Sequence, residues 1–296
     1  MNTIQPGILP PVPSTGRFLS FSLLPGADPS NALKALRDHT IGESLVVGIG
    51  QSVVLAMGQA VEGLRSFPSL VGPGVDIPAT PFALWCWLRG DDRGELIQLT
   101  HLISRSIAPT FQLEEVVDAF KYGERPDGLG LDLTGYEDGT ENPSDDEAIQ
   151  AGIVQGSSLA GSSFVAVQRW VHDLDRFEGM SQTDRDNAIG RRVSDNEELE
   201  DAPDSAHVKR TAQEDFEPEA FLVRRSMPWS DGQEEGLMFV AYGHSLDAFE
   251  AQLQRMAGLD DGITDALFQF SRPVTGSYFW CPPVEADRLN LAALGL

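Results

Sequence analysis

Apolar and polar positions alternate along this chain with two periods, and the periods exchange in an order that occurs twice. Residues 18–24 read as a strand, and helical spacing follows over 31–39 with Ser30 as a candidate N-cap. Residues 44–50 are again strand-like. A stretch punctuated by Pro68, Pro73, Pro78 and Pro81 then predicts a loop. Residues 82–89 are dense in β-forming side chains. Leu96, Leu99, Ile103 and Ile107 share one helical face and predict a helix over 95–107, and 111–122 offers another strand. The order then returns, with a strand over 163–171, polar helical material from Leu174 and a strand over 236–242. Leu246, Phe249, Leu253 and Met256 predict a helix over 246–256, and 274–280 closes the series as a strand. Residues 1–16 carry Pro6, Pro10, Pro11 and Pro13 and predict an irregular lead-in.

The connections vary too much for a regular doubly wound sheet. Two related α+β halves, each an antiparallel sheet faced by helices, fit better. The divide falls within 130–160, giving an N-terminal half over 1–145 and a C-terminal half over 146–296. At 296 residues and 41% hydrophobic, the chain has ample material for a core. Its formal net charge of −24 argues against nucleic-acid partners, whose phosphates such a surface repels. The acid excess concentrates between Asp195 and Glu219, where ten Asp or Glu face only Lys209 and Arg210. That stretch reads equally as a solvated loop or a cation site. Cys86 and Cys281 each lie in an aromatic run and read as buried strand thiols. No Cys-x-x-Cys pair supports a zinc knuckle or a redox dithiol. There is no basic segment followed by an apolar one at the start, and no apolar run approaches 18 residues. The expectation is a cytoplasmic protein with no membrane partner.

The chemistry concentrates in three segments. In Gly135-Tyr-Glu-Asp138-Gly-Thr-Glu-Asn-Pro143 an acid lies between glycines, among residues too rich in turn formers for regular structure. Asp138 therefore belongs on a loop whose backbone can approach another group closely. None of the five histidines pairs with another at His-x-x-x-His spacing, so a multi-histidine metal centre has little support. A centre needing one axial histidine requires no pair. His207 lies in Ala206-His-Val-Lys-Arg210, and Arg224 in Val223-Arg-Arg-Ser-Met-Pro228.

Taken in order, these segments resemble the dye-decolorizing peroxidases. The Gly-x-x-Asp-Gly loop resembles that family's signature, Asp204-Ser-Ala-His207-Val-Lys-Arg210 its proximal-histidine segment, and Arg224-Arg-Ser-Met-Pro228 its distal-arginine segment. Ile189-Gly-Arg191 and Asp265-Ala-Leu-Phe-Gln-Phe-Ser271 sit where its other motifs would be. The resemblance runs from Gln5-Pro-Gly-Ile8 to Tyr278-Phe-Trp280, and the compact length looks like the bacterial B-type branch.

The resemblance implies two ferredoxin-like halves of the dimeric α+β barrel type, with one haem b per chain in the second half. It implies a peroxidase that reduces hydrogen peroxide and oxidises bulky dyes or phenolic compounds through a high-valent iron-oxo intermediate. His207 would be the axial ligand, with Asp265 accepting from its other ring nitrogen. A helix-capping role for Asp265 is the competing reading. On the opposite face Asp138 would shuttle the peroxide proton and Arg224 would stabilise charge on the leaving oxygen. Arg191 resembles the haem-propionate arginine, and Phe239 and Leu237 are candidates for an apolar lid. Ser226 stands where some relatives carry Asn. The family also implies a homo-oligomer and a small-molecule reductant. The tryptophans and tyrosines read mostly as core, and none is assigned as an electron relay. The alternative is a haem-binding or haem-handling protein with incidental peroxidase activity.

Overall fold

The structure is a computed structural model that describes residues 3–39, 42–123 and 130–296. Eight strands form its centre. The first four are β1 (Thr15–Leu23), β2 (Leu45–Ile49), β3 (Leu84–Gly90) and β4 (Phe111–Phe120). The last four are β5 (Ser163–His172), β6 (Met227–Ser230), β7 (Glu235–Gly243) and β8 (Ser277–Cys281). They run in the order β5-β8-β2-β3-β1-β4-β6-β7, and β7 pairs back onto β5. All these pairings are antiparallel, so the sheet closes into an eight-stranded barrel.

The early strands take the order β2-β3-β1-β4 and the late ones β8-β5-β7-β6, the same ferredoxin-like arrangement used twice. The two sheets meet edge to edge, at Ile49 opposite Trp280 and at Ala119 opposite Trp229. Closure leaves none of these edges open to a foreign strand.

Strand alternation sorts the apolar residues into two layers. One cluster takes alternate residues from all eight strands, including Phe18, Val46, Trp85, Trp87, Val117, Val165, Trp229, Val240 and Phe279, and fills the barrel. Phe18 stacks on Trp87 with centroids 5.7 Å apart, and Trp85 stacks on Phe279 at 5.9 Å. The intervening residues, such as Leu19, Val47, Leu84 and Cys86, point outward under the helices. These are α1 (Ser30–Arg37), α2 (Gln51–Ala56) and α3 (Arg93–Ile107), followed by α4 (Asp145–Gly152), α5 (Leu174–Gly179), α6 (Gln182–Ile189), α7 (His207–Arg210) and α8 (Asp247–Met256). Both cysteines are buried and free, as their aromatic surroundings suggested.

Several local expectations need correction. Ser30 is not the N-cap of α1 but its first residue; the preceding turn is fixed by Asp28, whose carboxylate accepts from the Ser30 N–H at 2.9 Å. The proline-rich stretch after residue 50 is not all loop. It holds α2 and a small hairpin of Leu70–Gly72 with Val75–Ile77, both too short to show a period. β6 escaped notice for the same reason. Over 3–14 the lead-in is irregular as expected, yet it is anchored, while Thr15 and Gly16 already belong to β1 and residues 1–2 lie outside the described residues. Gln5 is fully buried, donates to the Val47 and Pro282 carbonyls at 2.9 and 3.0 Å and accepts from the Val47 N–H at 2.8 Å. Arg89 and Arg225 hold the carbonyls of Leu9, Pro10 and Pro11 at one end of the barrel.

Candidate active site

The late half of the barrel turns the outward faces of β5 and β7 toward a cleft. Gln168, Trp170 and His172 project from β5, and Leu237 and Phe239 from β7, as the two-residue period requires. Opposite them α8 offers Phe249, Leu253 and Met256 at helical spacing. An open cleft lies between these walls, mostly apolar at its sides and polar where the loops enter. That lining, apolar walls with a few convergent polar groups, suits an organic molecule.

Three of the residues singled out from the sequence come together here. Asp138, His207 and Arg224 all line the cleft, from three segments far apart in the chain. Phe239 lines it too, with its ring 6.0 Å from that of Phe249. Asp265 lies directly behind His207. Its Oδ2 accepts from His207 Nδ1 at 2.8 Å, and its side chain is fully buried. The same carboxylate also accepts from the Leu267 N–H at 2.8 Å and caps the short 3-10 turn Ala266–Gln269, so the two readings of Asp265 are both present. A carboxylate acceptor puts the proton on Nδ1 and leaves the Nε2 lone pair available to a ligand in the cleft.

The placement of His207 has local causes. It opens α7, and Arg210 at the other end of that turn forms a forked contact with Asp261 at 2.8 and 2.9 Å and donates to the Arg255 carbonyl at 2.7 Å. This ties α7 to the end of α8. Gly190 ends α6 with φ +96°, and a Cβ there would come within 2.4 Å of Val208 Cγ1. Only glycine permits that conformation and that approach together.

Asp138 belongs to a turn in which Gly139 has φ +89° and the Asn142 N–H donates to the Gly139 carbonyl at 3.0 Å. Burial pushes the Asp138 carboxyl up to about 6; the Arg224 charge opposes the rise and the neighbouring Asp132 adds to it. For Arg224, burial lowers the guanidinium's affinity for its proton, and Asp138 partly restores it. The two groups sense each other, but no direct ion pair joins them among the described residues.

Arg191 and Ser226 each have protein partners of their own. Arg191 is not on the wall of the cleft; its guanidinium contacts Glu141 at 2.6 Å, Glu198 at 3.3 Å and the Asn196 carbonyl at 3.0 Å. Ser226 is buried, and its hydroxyl accepts from the Val240 N–H at 3.4 Å. The structure also adds a pair that sequence reading passed over. His172 lines the cleft with Nδ1 2.6 Å from Ser271 Oγ and Nε2 3.2 Å from Asp132 Oδ1. Burial pushes Asp132 up, but His172 and Thr134 together outweigh it and hold the carboxyl below its ordinary value. Nothing in the spacing of residues 132 and 172 announces this pair. Among the described residues, no group of three or more His, Cys, Asp or Glu is arranged to hold a bare metal ion. No helix among them is long and apolar enough to cross a membrane.

Comparison with known proteins gives a consistent answer. Residues 130–286 match the family model "Dyp-type peroxidase, C-terminal". The dye-decolorizing peroxidase of Mycobacterium tuberculosis is 33% identical over 259 residues, covering 84% of this chain and 76% of the relative. Among solved structures, a dye-decolorizing protein from V. cholerae superposes with a TM-score of 0.85 at 26% identity, covering 98% of both chains. A variant of DypB from Rhodococcus jostii RHA1 in complex with heme superposes with a TM-score of 0.83 at 25% identity, covering 93% of this chain and 95% of that one. With its signature loop, histidine and arginine gathered at one cleft of the shared barrel, this chain belongs to the Dyp-type peroxidase family.

Proposed function

We propose that the cleft holds one haem b and that the protein is a haem peroxidase that uses hydrogen peroxide to oxidise bulky dyes or phenolic compounds. The observation that carries this reading is the pairing of His207 with Asp265 in a cleft that also presents Asp138 and Arg224. The donor set fits the group. His207, with its Nδ1–H fixed by Asp265, would hold the iron through Nε2, and a porphyrin would bring the remaining donors, which no cluster of the described residues offers. The apolar side chains Leu237, Phe239, Leu253 and Met256 suit the faces and edges of a macrocycle. Bound there, haem supplies the redox chemistry that splits the peroxide O–O bond and stores the oxidising equivalents.

The chain's residues have separate tasks. Asp265 holds the His207 ring in one tautomer and orientation and makes it a stronger donor. Asp138, when ionised, accepts the proton from one peroxide oxygen and returns it to the other. Arg224 stays cationic and stabilises the negative charge that develops on the departing oxygen. Phe239 and Leu237 exclude water from one side of the cleft. Arg191, already paired with Glu141 and Glu198, would meet a propionate only by sharing its guanidinium with them. The divide between the halves is placed at 145/146, the start of α4, and a homo-oligomer and a reducing compartment complete the reading.

An absorption spectrum of protein expressed with haem supplied tests this. A ferric Soret band that changes within seconds of one equivalent of hydrogen peroxide is expected. Haem bound without reaction would favour a haem-handling role, and failure to bind haem would overturn the assignment of His207.

A further inference from the structure

Arg224 enters the cleft without help from its own side chain. Its Nε is buried and unpartnered, and no hydrogen bond to its guanidinium occurs among the described residues. Its main chain must therefore fix its position. Arg224 and Val223 pair with β7 on one side, where the next residue's N–H, that of Arg225, donates to the Val240 carbonyl at 2.8 Å. The N–H and C=O of Arg224 itself face the other way, where a further strand would normally sit.

The Asn142 side chain takes that strand's place on both groups, and the Arg225 guanidinium adds a second donor to the Arg224 carbonyl at 2.8 Å. Asn142 Oδ1 accepts from the Arg224 N–H at 2.7 Å, and Asn142 Nδ2 donates to the Arg224 carbonyl at 2.9 Å. Asn142 also ends the turn that carries Asp138, through its own N–H on the Gly139 carbonyl at 3.0 Å. Beside it, the buried Gln213 makes a second bridge of the same kind. It donates to the Glu141 carbonyl at 2.8 Å and accepts from the Leu222 N–H at 2.9 Å. A carboxamide is suited to this because it carries a donor and an acceptor on one rigid plane. Asn142 itself lies along a neighbouring cavity that also reaches Asp138 and Arg224, rather than on the wall of the main cleft.

We propose that Asn142 is a positioning residue whose side-chain amide sets the separation between the Asp138 carboxylate and the Arg224 guanidinium. It acts through Arg224 and not on the reacting atoms. The groups that act on Asp138 are Arg224, Asp132, His207 and the Gly139 N–H, and of these the clip moves Arg224. This inference rests on the peroxidase reading above.

The test uses holoenzyme and two measurements. One is the pH profile of the reaction with hydrogen peroxide, and the other is the affinity of the ferric protein for cyanide at fixed pH. Asn142→Ala is expected to move the acid limb of the profile upward, in the direction of Arg224→Leu and by less. It is also expected to weaken cyanide binding by about tenfold, the loss typical of one misplaced hydrogen bond to a charged group. Should the alanine variant fail to fold, Asn142→Ser carries the same expectations, since one short hydroxyl cannot span both partners. A wild-type profile and wild-type cyanide affinity in the folded variant overturn the inference, whatever happens to its melting temperature. Wild-type protein that ignores peroxide would instead sink the peroxidase reading itself.

Discussion

The acid–base role proposed for Asp138 has a numerical consequence. Its carboxyl titrates at about 6, well above its ordinary 3.8, because burial penalises the anion more than Arg224 rewards it. Only the ionised form can accept the peroxide proton. That form makes up about nine tenths of the protein one unit above the midpoint and about one tenth one unit below it. The second-order rate of the reaction with peroxide should therefore level off above pH 7 and fall about tenfold per unit below pH 5. Stopped-flow absorption at the Soret band, with pH varied at constant ionic strength, measures it. Asp138→Asn should abolish the dependence and slow the reaction by ~10²–10⁴-fold at pH 7. The same shift carries a stability sign. A carboxyl raised on folding stabilises nothing at neutral pH: the fold is spared the cost below about 3.8 and bears it in full above about 6. Asp138→Asn should therefore unfold at higher urea than wild type at pH 8, by about 2–3 kcal/mol, and show no advantage at pH 3.5. A rate midpoint near 4, or an Asn variant with undiminished reactivity, would refute the reasoning.

Arg224→Leu removes the charge that holds Asp138 down, so its acid limb should move above 6 while haem remains bound; the same stopped-flow series checks it. His207→Ala should lose haem or bind it with an altered ferric spectrum, read by haem titration, since the other histidine on this cleft, His172, has both ring nitrogens engaged by Ser271 and Asp132. Asp265→Ala should raise the reduction potential of the bound iron, because the imidazole loses the acceptor that enriches it; spectroelectrochemistry measures the change. Gly190→Ala should cost roughly 1–3 kcal/mol in urea unfolding, from a left-handed backbone and a methyl driven against Val208.

The element order was legible in the sequence wherever a segment was long and buried on one face. β3, β5, β7, α3 and α8 all lie where the alternation and helical spacing put them. The short pieces were not legible. β6 has four residues and includes Pro228, and α7 has four residues, so neither completes enough of a period to be seen. Asp138, His207 and Arg224 were legible as motif residues because each sits in a chemically distinctive segment. His172 with Asp132 was not, since a histidine on a strand and an acid on a loop carry no mark of their contact. Asn142 was visible only as one letter of the Asp-Gly-Thr-Glu-Asn-Pro run. Its grip on Arg224 spans 82 residues of sequence.

The sequence by itself determined the α+β alternation, the acidic surface, the buried thiols and the three segments to which the chemistry is assigned. These follow from local spacing and composition, which each stretch of chain displays without reference to any other. Only the tertiary structure decided that the two sheets close into one barrel, that Asp265 both caps a turn and braces His207, and that Arg191 is already committed to Glu141 and Glu198. Edge pairing, shared carboxylates and competing ion pairs depend on which distant residues meet, and that is settled by packing the whole chain around one core.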